Sequence, residues 1–528
     1  MSGGRHKTDV LVIGSGFGGC LTAHVLSRLG YDVLVVDRSQ HPRFAIGESS
    51  TPVADTTLAE LAERYDLPWL KPLKSYGRAK EVYPDLPLGI KRGFSYFRHQ
   101  PGKVFQPSPD GQHELLVTAS SSNYDSDTHW MRSEVDSLFA SRLAHSGVNL
   151  WEGCRTIQLE RQRGAYPWRV CAYNQQELVC DARFVVDASG RSGVVASSLG
   201  IGLRDDVLET NSRAVYAHVT GLQNWPLLYE AGGGDLRTHP FPCELAAMHH
   251  VIDEGWMWQL GFDQGTTSVG WLIDQRAPQL GQQPAVTTVV PELTPQQEFQ
   301  YWLERYPSLA RQFAQARTVA PATGCVRTTR LQFLRNQVAG CDWLALPATA
   351  GFVDPLHSTG IAHTLHAIRS IGLMFEFAGT RALPSAAWLA QYAARVRHDL
   401  LWIDQLVVAC YETRQSWDCF VASTMLYFAA ATWCERSTTQ PARIDQPFLA
   451  SDSGLHAVVD RWRRLIKTKS SDGGIIHSSV HQTTDSQAEH AKMIALLREW
   501  LKPFDQVGLL DPALQNRYAH TAAPQKTN

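Results

Sequence analysis

The 528-residue chain has no Cys-x-x-Cys pair: its ten cysteines are scattered, and none stands in metal-ligand spacing. Neither a disulfide framework nor a metal site is expected, and the thiols read as the reduced cysteines of a cytoplasmic protein. An excess of charge is missing too, with 49 Lys and Arg against 51 Asp and Glu for a net charge of −2. That balance gives no electrostatic reason to expect nucleic acid or an anionic membrane as partner. Long hydrophobic runs are also absent; the longest late in the chain, near Met425 to Trp433, is far too short to span a bilayer. Arg5 and Lys7 precede only a short apolar run that belongs to the first strand, so no signal peptide is read. There is no internal repeat. What remains is an ordinary globular composition, 44% hydrophobic and 19% charged, with sixteen tryptophans that fit aromatic-lined pockets. The length implies two or three lobes.

The most informative stretch is Thr8 to Asp37, TDVLVIGSGFGGCLTAHVLSRLGYDVLVVD. Asp9 to Ile13 has the apolar continuity of a buried parallel strand. Gly14, Gly16 and Gly19 then fit G-x-G-x-x-G: the first permits the turn, the second admits a pyrophosphate against backbone, the third lets helix pack on strand. The helix Phe17 to Leu29, ended by Gly30, aims its N–H groups and dipole at that phosphate. A second strand, Tyr31 to Val36, delivers Asp37 to a ribose hydroxyl. Strand, turn, helix and terminal acid together make a dinucleotide-binding unit.

Further segments carry chemistry. Gly47-Glu48-Ser49-Ser50-Thr51-Pro52 supplies small residues and hydroxyls before a proline-started helix, Val53 to Tyr65. Leu88 to Phe97 reads as one strand, and a two-residue period puts Lys91 on a face with Gly93, Ser95 and Phe97, where an ammonium can project into a cavity. Thr128 to Gly147 has helical spacing, with Arg132 at its start. Ala182 to Gly193 is a second buried strand that ends in Asp187, followed by Gly190 and Arg191. Residues 214–273 alternate like antiparallel strands, with Trp256 and Trp258 on one face. Gln275 to Pro295 reads as a surface loop, and Thr294-Pro295-Gln296-Gln297 as a capping box for a helix to about Tyr306. Trp343 to Ile368 contains Ala350-Gly351-Phe352-Val353-Asp354-Pro355, then Ser358-Thr359-Gly360 opening a helix whose N–H groups form a natural anion site. From Leu383 onward the spacing is helical over Trp388 to Tyr411, Trp417 to Glu435 and Glu489 to Leu501. Lys467 to His490 reads as a mobile loop, and the stretch after Arg517 as disordered.

Taken together, the first fingerprint, GESSTP, the strand with K-x-G-x-x-F, ARFVVDASGRSG and AGFVDPLHSTG resemble the flavin-dependent halogenases and their monooxygenase relatives. The resemblance is closer to members acting on phenolic or carrier-bound substrates than to tryptophan halogenases. It implies an α/β fold: an FAD-binding Rossmann-like domain of the GR2 type (1–210 and 325–370), an inserted antiparallel substrate-side sheet (211–324) and a C-terminal helical region (371–528). FAD contacts are implied for Gly14, Gly16, Phe17, Gly18, Gly19, Asp37, Arg38, Glu48, Ser49, Ser50, Arg132, Asp187, Gly190, Asp354 and Ile361. Ser358, Thr359 and Gly360 are implied to hold chloride or bromide, Lys91 to be catalytic, and Trp256, Trp258 and His357 to face the substrate side. The implied reaction uses reduced FAD from a separate flavin reductase, O2 and halide to make hypohalous acid, which Lys91 directs at a small-molecule or carrier-bound aromatic or enol. The protein would be a monomer or homodimer. Three features depart from the family pattern: Gln259-Leu260-Gly261 follows the tryptophans where Ile-Pro is usual, Pro347-Ala348 stands where Gly-Asp is common, and His357 replaces the acid of tryptophan halogenases. A hydroxylase of the same fold and a non-catalytic flavin-binding scaffold or redox sensor are the alternatives.

Overall fold

The computed structural model describes residues 6–204, 206–276, 292–437, 446, 448–449, 452–471, 484–505 and 507–519. Its first body is a seven-stranded sheet. His6–Ile13 lies parallel between Val33–Val36 and Gln176–Asp187, and Trp343–Ala345 is parallel on the far side of Gln176–Asp187. Asn149–Trp151 extends one edge, and antiparallel Trp168–Asn174 and Thr156–Arg161 extend the other. The central strands are apolar where they meet, over Val10–Ile13, Val33–Val36 and Phe184–Val186, as a parallel sheet covered by helices requires. Helix Phe17–Arg28 packs on the sheet and against the 20-residue helix Thr359–Ala378. A Cβ at Gly18 would come 2.9 Å from Thr364 Cγ2, so the close helix crossing depends on that glycine.

The second body is a nine-stranded sheet. Ser212–Thr220, Thr267–Asp274, Gly255–Gly261 and Ala247–Ile252 run antiparallel in that spatial order. The expected boundary of 211–324 is too narrow for it. Gly93–Arg98 joins Ala247–Ile252 in parallel, Glu114–Thr118 follows, and Arg517–Tyr518 from the far end of the chain closes the edge. Alternation along Gly255–Gly261 sends Met257 to one face and Trp256 and Trp258 to the other. Met257 meets a separate core with Trp271, Phe299 and Trp302, the last two from helix Pro295–Arg305. The indoles join the core shared with the dinucleotide-binding body and the C-terminal helices Ala386–Thr413 and Trp417–Ser437.

The expected strand Leu88 to Phe97 is two strands. Leu88–Lys91 pairs with Asp127–Trp130 in a small two-stranded sheet, and Gly93–Arg98 belongs to the large one. Arg92 turns between them, its N–H donating to the Leu245 carbonyl at 2.7 Å and its own carbonyl accepting from Ala119 N at 2.8 Å. The expected helix from Thr128 likewise begins as strand Asp127–Trp130; the helix proper is Arg132–Arg142. Local helical spacing loses there to pairing with Leu88–Lys91. The capping box at Thr294 is formed, with Gln297 N 3.3 Å from Thr294 Oγ1 and Thr294 N 2.9 Å from Gln297 Oε1. Most of the Gln275 to Pro295 loop, 277–291, lies outside the described residues. Much of the 467–490 loop is helical, since Ser453–Ser471 and Thr484–Leu501 reach into it; 472–483 lies outside the described residues. The end is not wholly without structure either, because Arg517–Tyr518 pairs with Leu116 and Val117, while 520–528 lies outside the described residues. Among the described residues no helix is long and apolar enough to cross a membrane.

Candidate active site

The turn after the first strand is built as its glycines require. Gly14 has φ +108°, and a Cβ there would come 2.4 Å from the Ala188 carbonyl oxygen; at Gly19 it would come 1.9 Å from the Gly14 oxygen. Gly16 differs: a Cβ would meet only the tips of Arg43, Asp136 and Arg132, at 3.6–3.7 Å. Its open side therefore faces a cradle of charges at a helix N-terminus. Arg132 grips Asp136 with two hydrogen bonds of 2.8 and 2.9 Å, reaches the Ile46 and Gly47 carbonyls, and stacks on Phe17 at 4.7 Å. Asp136 accepts from Phe17 N at 3.3 Å. Asp37 accepts from Ser15 N at 2.6 Å and from Ser39 N at 2.8 Å, with Arg43 3.6 Å away. Arg38 is exposed at the rim. Arg43 Nε and Ser49 Oγ are buried without a hydrogen-bond partner. Orphaned donors and arginines around a glycine turn fit the pyrophosphate and polar edge of FAD.

Glu48 and Ser50 line the next stretch of the same wall. Glu48 is buried and pairs with His218 Nε2 at 2.8 Å across to the large sheet. Ser50 joins the small sheet, its N–H donating to Thr128 O at 2.9 Å and its Oγ accepting from Thr128 N at 3.1 Å. Gly190, at φ +63°, donates its N–H to Thr349 Oγ1 at 2.9 Å. Ile361 is buried in the first turn of the helix Thr359–Ala378.

Two acids expected to touch flavin are committed elsewhere. Asp187 accepts from Ser189 N and Oγ and from Val195 N, so its carboxylate holds its own loop. Asp354 is fully engaged by protein: Oδ1 accepts from Leu356 N at 3.1 Å, and Oδ2 from Ser212 Oγ at 2.8 Å and Tyr411 OH at 2.9 Å. Asp354, expected to contact flavin, ties a knot that joins the large sheet, the C-terminal helices and the loop before the long helix. Burial raises its pKa to about 7.

That loop delivers Ser358 in the left-handed conformation, φ +56°, directly before helix Thr359–Ala378. Thr359 is buried and Gly360 exposed. His357 is held in a buried slot, stacked 4.2 Å from Tyr427, with Nδ1 3.5 Å from Tyr96 OH and Nε2 3.6 Å from Cys410 Sγ. Burial holds its pKa well below the usual histidine value, so the ring is neutral. Trp256 and Trp258 stand on the inner face as expected. Trp256 donates to Tyr411 OH at 3.0 Å and stacks toward His249, while Trp258 donates to Ser268 Oγ at 3.1 Å.

Lys91 is fully buried, donates to the Ser50 carbonyl and lies 4.1 Å from the centre of the Phe94 ring. Alternation puts Phe94 on the opposite face, and the turn at Arg92 brings the two together. Asp127 stands opposite Lys91 in register, and Asp55 comes from the first turn of helix Pro52–Arg64. Desolvation lowers the Lys91 pKa to about 8 against the pull of these acids. Beyond Phe94 opens a narrow pocket lined by Pro52, Tyr427, Phe428, Glu435, Phe448 and Leu449 among others. Sequence reasoning missed Arg43, Asp55, Asp127 and His218. Only Asp55 had a local signal, an acid three residues after a helix-starting proline; the others are placed by long-range pairing.

A glycine turn with its arginine cradle, a second segment ending in Asp187, an open helix start at Thr359 and a buried lysine beside an aromatic pocket fit the class of FAD-dependent halogenases, oxidoreductases of biosynthesis. The chain belongs to the tryptophan halogenase family, whose model matches residues 121–421, more than half of its length; a model of NAD(P)-binding Rossmann-like domains matches 12–86. It is 29% identical over 413 residues to tetracycline 7-halogenase of Kitasatospora aureofaciens, covering 76% of this chain and 70% of that protein. It is 26% identical to monodechloroaminopyrrolnitrin halogenase PrnC of Pseudomonas fluorescens, covering 78% and 70%. The crystal structure of halogenase PltM in complex with phloroglucinol and FAD has the same fold, with a TM-score of 0.79 at 20% identity over 96% of this chain and 99% of that one.

Proposed function

We propose that this protein halogenates an electron-rich aromatic or enol, with Lys91 directing hypohalous acid onto a substrate held in the Phe94–Phe448 pocket. The observation that carries the reading is a fully buried lysine against the wall of an aromatic pocket. When bound, reduced FAD supplies with O2 and halide the hypohalous acid. Gly14, Gly16, Phe17, Gly18, Gly19, Asp37, Arg38, Arg43 and Arg132 hold its nucleotide end, with Glu48, Ser49, Ser50, Gly190 and Ile361 further along. Ser358, Thr359 and Gly360 hold chloride or bromide on the N-terminal dipole of their helix. The Lys91 ammonium donates a directional hydrogen bond to the hydroxyl oxygen of hypohalous acid. As the carbon–halogen bond forms, the halogen–oxygen bond breaks and its electron pair goes to the oxygen. There the ammonium stabilises the developing negative charge and gives the proton that lets it leave as water; the ring proton returns to the amine. Trp256, Trp258 and His357, all immobilised, wall off the interior so that oxidant is not lost to water. Reductant comes from a separate flavin reductase in the cytoplasm. The pocket's aromatic lining suits a phenol, free or carrier-bound, and the phloroglucinol complex of PltM supports that class.

The test supplies reduced FAD, O2 and chloride or bromide to the protein and to Lys91→Ala, with a panel of phenols and indoles. Halogenated product that disappears in Lys91→Ala supports the reading. Product that survives the substitution sinks the lysine assignment; hydroxylated product formed without halide identifies a hydroxylase; FAD binding with neither product identifies a scaffold.

A further inference from the structure

The catalytic reading leaves two buried acids unexplained. Asp127 is buried and Asp55 half-buried, and both lie beside Lys91. Asp127 belongs to the strand paired with Leu88–Lys91 and is the cross-strand partner of Lys91 itself. Asp55 reaches in from helix Pro52–Arg64, its Oδ1 accepting from Ser50 Oγ at 3.1 Å. Ser50 is the residue whose carbonyl takes the Lys91 hydrogen bond, so one residue positions both the amine and one acid.

Asp127 Oδ2 is buried with no ordinary donor and faces the Asp55 carboxyl. Two carboxylates cannot share a dry site unless one carries a proton. With that proton shared, the set of one carboxylic acid, one carboxylate and one ammonium is neutral overall. Without the carboxylate, the ammonium would be an uncompensated buried charge. Other groups around Lys91 do not supply the counter-charge. His129 on the same strand as Asp127 and His249 on the large sheet both titrate at about 3 through burial and are neutral. Tyr427, from helix Trp417–Ser437, is pushed far above the ordinary tyrosine range and is neutral. Glu435, from the same helix, lines the pocket beyond Phe94.

We propose that Asp55 and Asp127 act as a proton-sharing pair that sets the charge state of Lys91, Asp127 as the counter-ion and Asp55 as the acid that holds it. The pair consists of positioning residues, acting through Lys91. The inference rests on the catalytic reading of that lysine. Desolvation pulls the ammonium toward neutrality, and the pair holds its loss of a proton near pH 8, above the physiological range.

The test is the pH profile of halogenation by the full-length, FAD-loaded protein on a phenol, read beside a direct titration of Lys91. For the latter, protein labelled with carbon-13 at lysine Cε is followed by NMR, the Lys91 resonance being assigned by its loss in Lys91→Arg. In the native protein both the alkaline limb and the resonance titrate near pH 8. The double variant Asp55→Asn/Asp127→Asn removes both possible counter-ions and moves both down by roughly 1–3 pH units. Each single Asp→Asn variant leaves one carboxyl that can ionise against an amide donor, so Asp55→Asn stays near the native place and Asp127→Asn moves less than the double variant. Should the double variant fail to fold, the smaller downward move of Asp127→Asn, reversed in Asp127→Glu, carries the test. A limb and resonance unmoved in these variants, with Lys91→Ala inactive, overturn the proposal and leave the lysine reading standing. Halogenation by Lys91→Ala overturns the lysine reading itself.

Discussion

The Lys91 ammonium stands 4.1 Å above the Phe94 ring, although the two residues belong to different sheets. The turn at Arg92 creates this contact, and it joins the reactive amine to the pocket wall. Cation–π attraction for a desolvated amine is worth roughly 0.5–2 kcal/mol. Phe94→Leu keeps an apolar wall and removes the ring face, so it is expected to lower the rate of halogenation by a factor of about 2 to 30. FAD affinity is expected to stay the same. Single-turnover rates on one phenol check this, and an unchanged rate would mean that the ring only lines the pocket.

Gly14 and Gly16 are two residues apart and should fail differently. At Gly14 the positive φ and the Ala188 carbonyl at 2.4 Å leave no room for a Cβ, so Gly14→Ala is expected to reduce soluble, folded protein. At Gly16 nothing lies closer than 3.6 Å, so Gly16→Ala should fold normally. Its added methyl points into the phosphate cradle and should weaken FAD binding at least tenfold, roughly 1.4 kcal/mol. Melting temperature and flavin fluorescence titration separate the two effects. Equal FAD affinity in Gly16→Ala and the native protein would place the pyrophosphate elsewhere.

Phe448 lines the same pocket as Phe94, stacked 5.1 Å from His363 and with its N–H donating to Asp399 at 3.1 Å. Removing a buried ring costs about 3–5 kcal/mol when the cavity stays open. Phe448→Ala should therefore lower the melting temperature. It should also raise kcat/KM for a phenol with an added ring relative to the parent phenol. A melting temperature that falls with no change in that ratio would place the substrate elsewhere.

The local signals were legible. The glycine turn, the placement of Asp37 at the end of the second strand, the capping box at Thr294 and the shared face of the indole pair each depend on residues a few positions apart, and each is formed. Lys91 was legible as a residue, but its face was not: two-residue alternation assumes a continuous strand, and Arg92 breaks it for contacts with Leu245 and Ala119. Its neighbour Asp127 depends on which strand pairs with Leu88–Lys91, and it stands directly before Thr128 to Gly147, a stretch whose spacing looks helical. Asp354 shows the same limit. Its place after Gly351-Phe352-Val353 suggested flavin, whereas the groups that claim it, Ser212 and Tyr411, are 142 and 57 residues away.

Asp354 also makes stability depend on pH. An ordinary aspartate titrates near 3.8, and this one at about 7 because burial outweighs its three hydrogen bonds. Between those values the folded protein binds a proton that the unfolded chain does not. The stability this group contributes is therefore fully present below about pH 4 and is lost as pH rises through 7. The difference corresponds to an upper bound of roughly 4 kcal/mol. Asp354→Asn carries no charge at any pH, so this part of the decline should vanish. The amide cannot accept at both former oxygens, and losing one hydrogen bond should cost about 1 kcal/mol at pH 5. Native protein should thus be the more stable at pH 5 and lose its advantage by pH 8, as read by urea denaturation midpoints at both values. Parallel midpoints for the two proteins from pH 5 to 8 would show that Asp354 stays ionised in the fold, and that the knot it ties is held by charge.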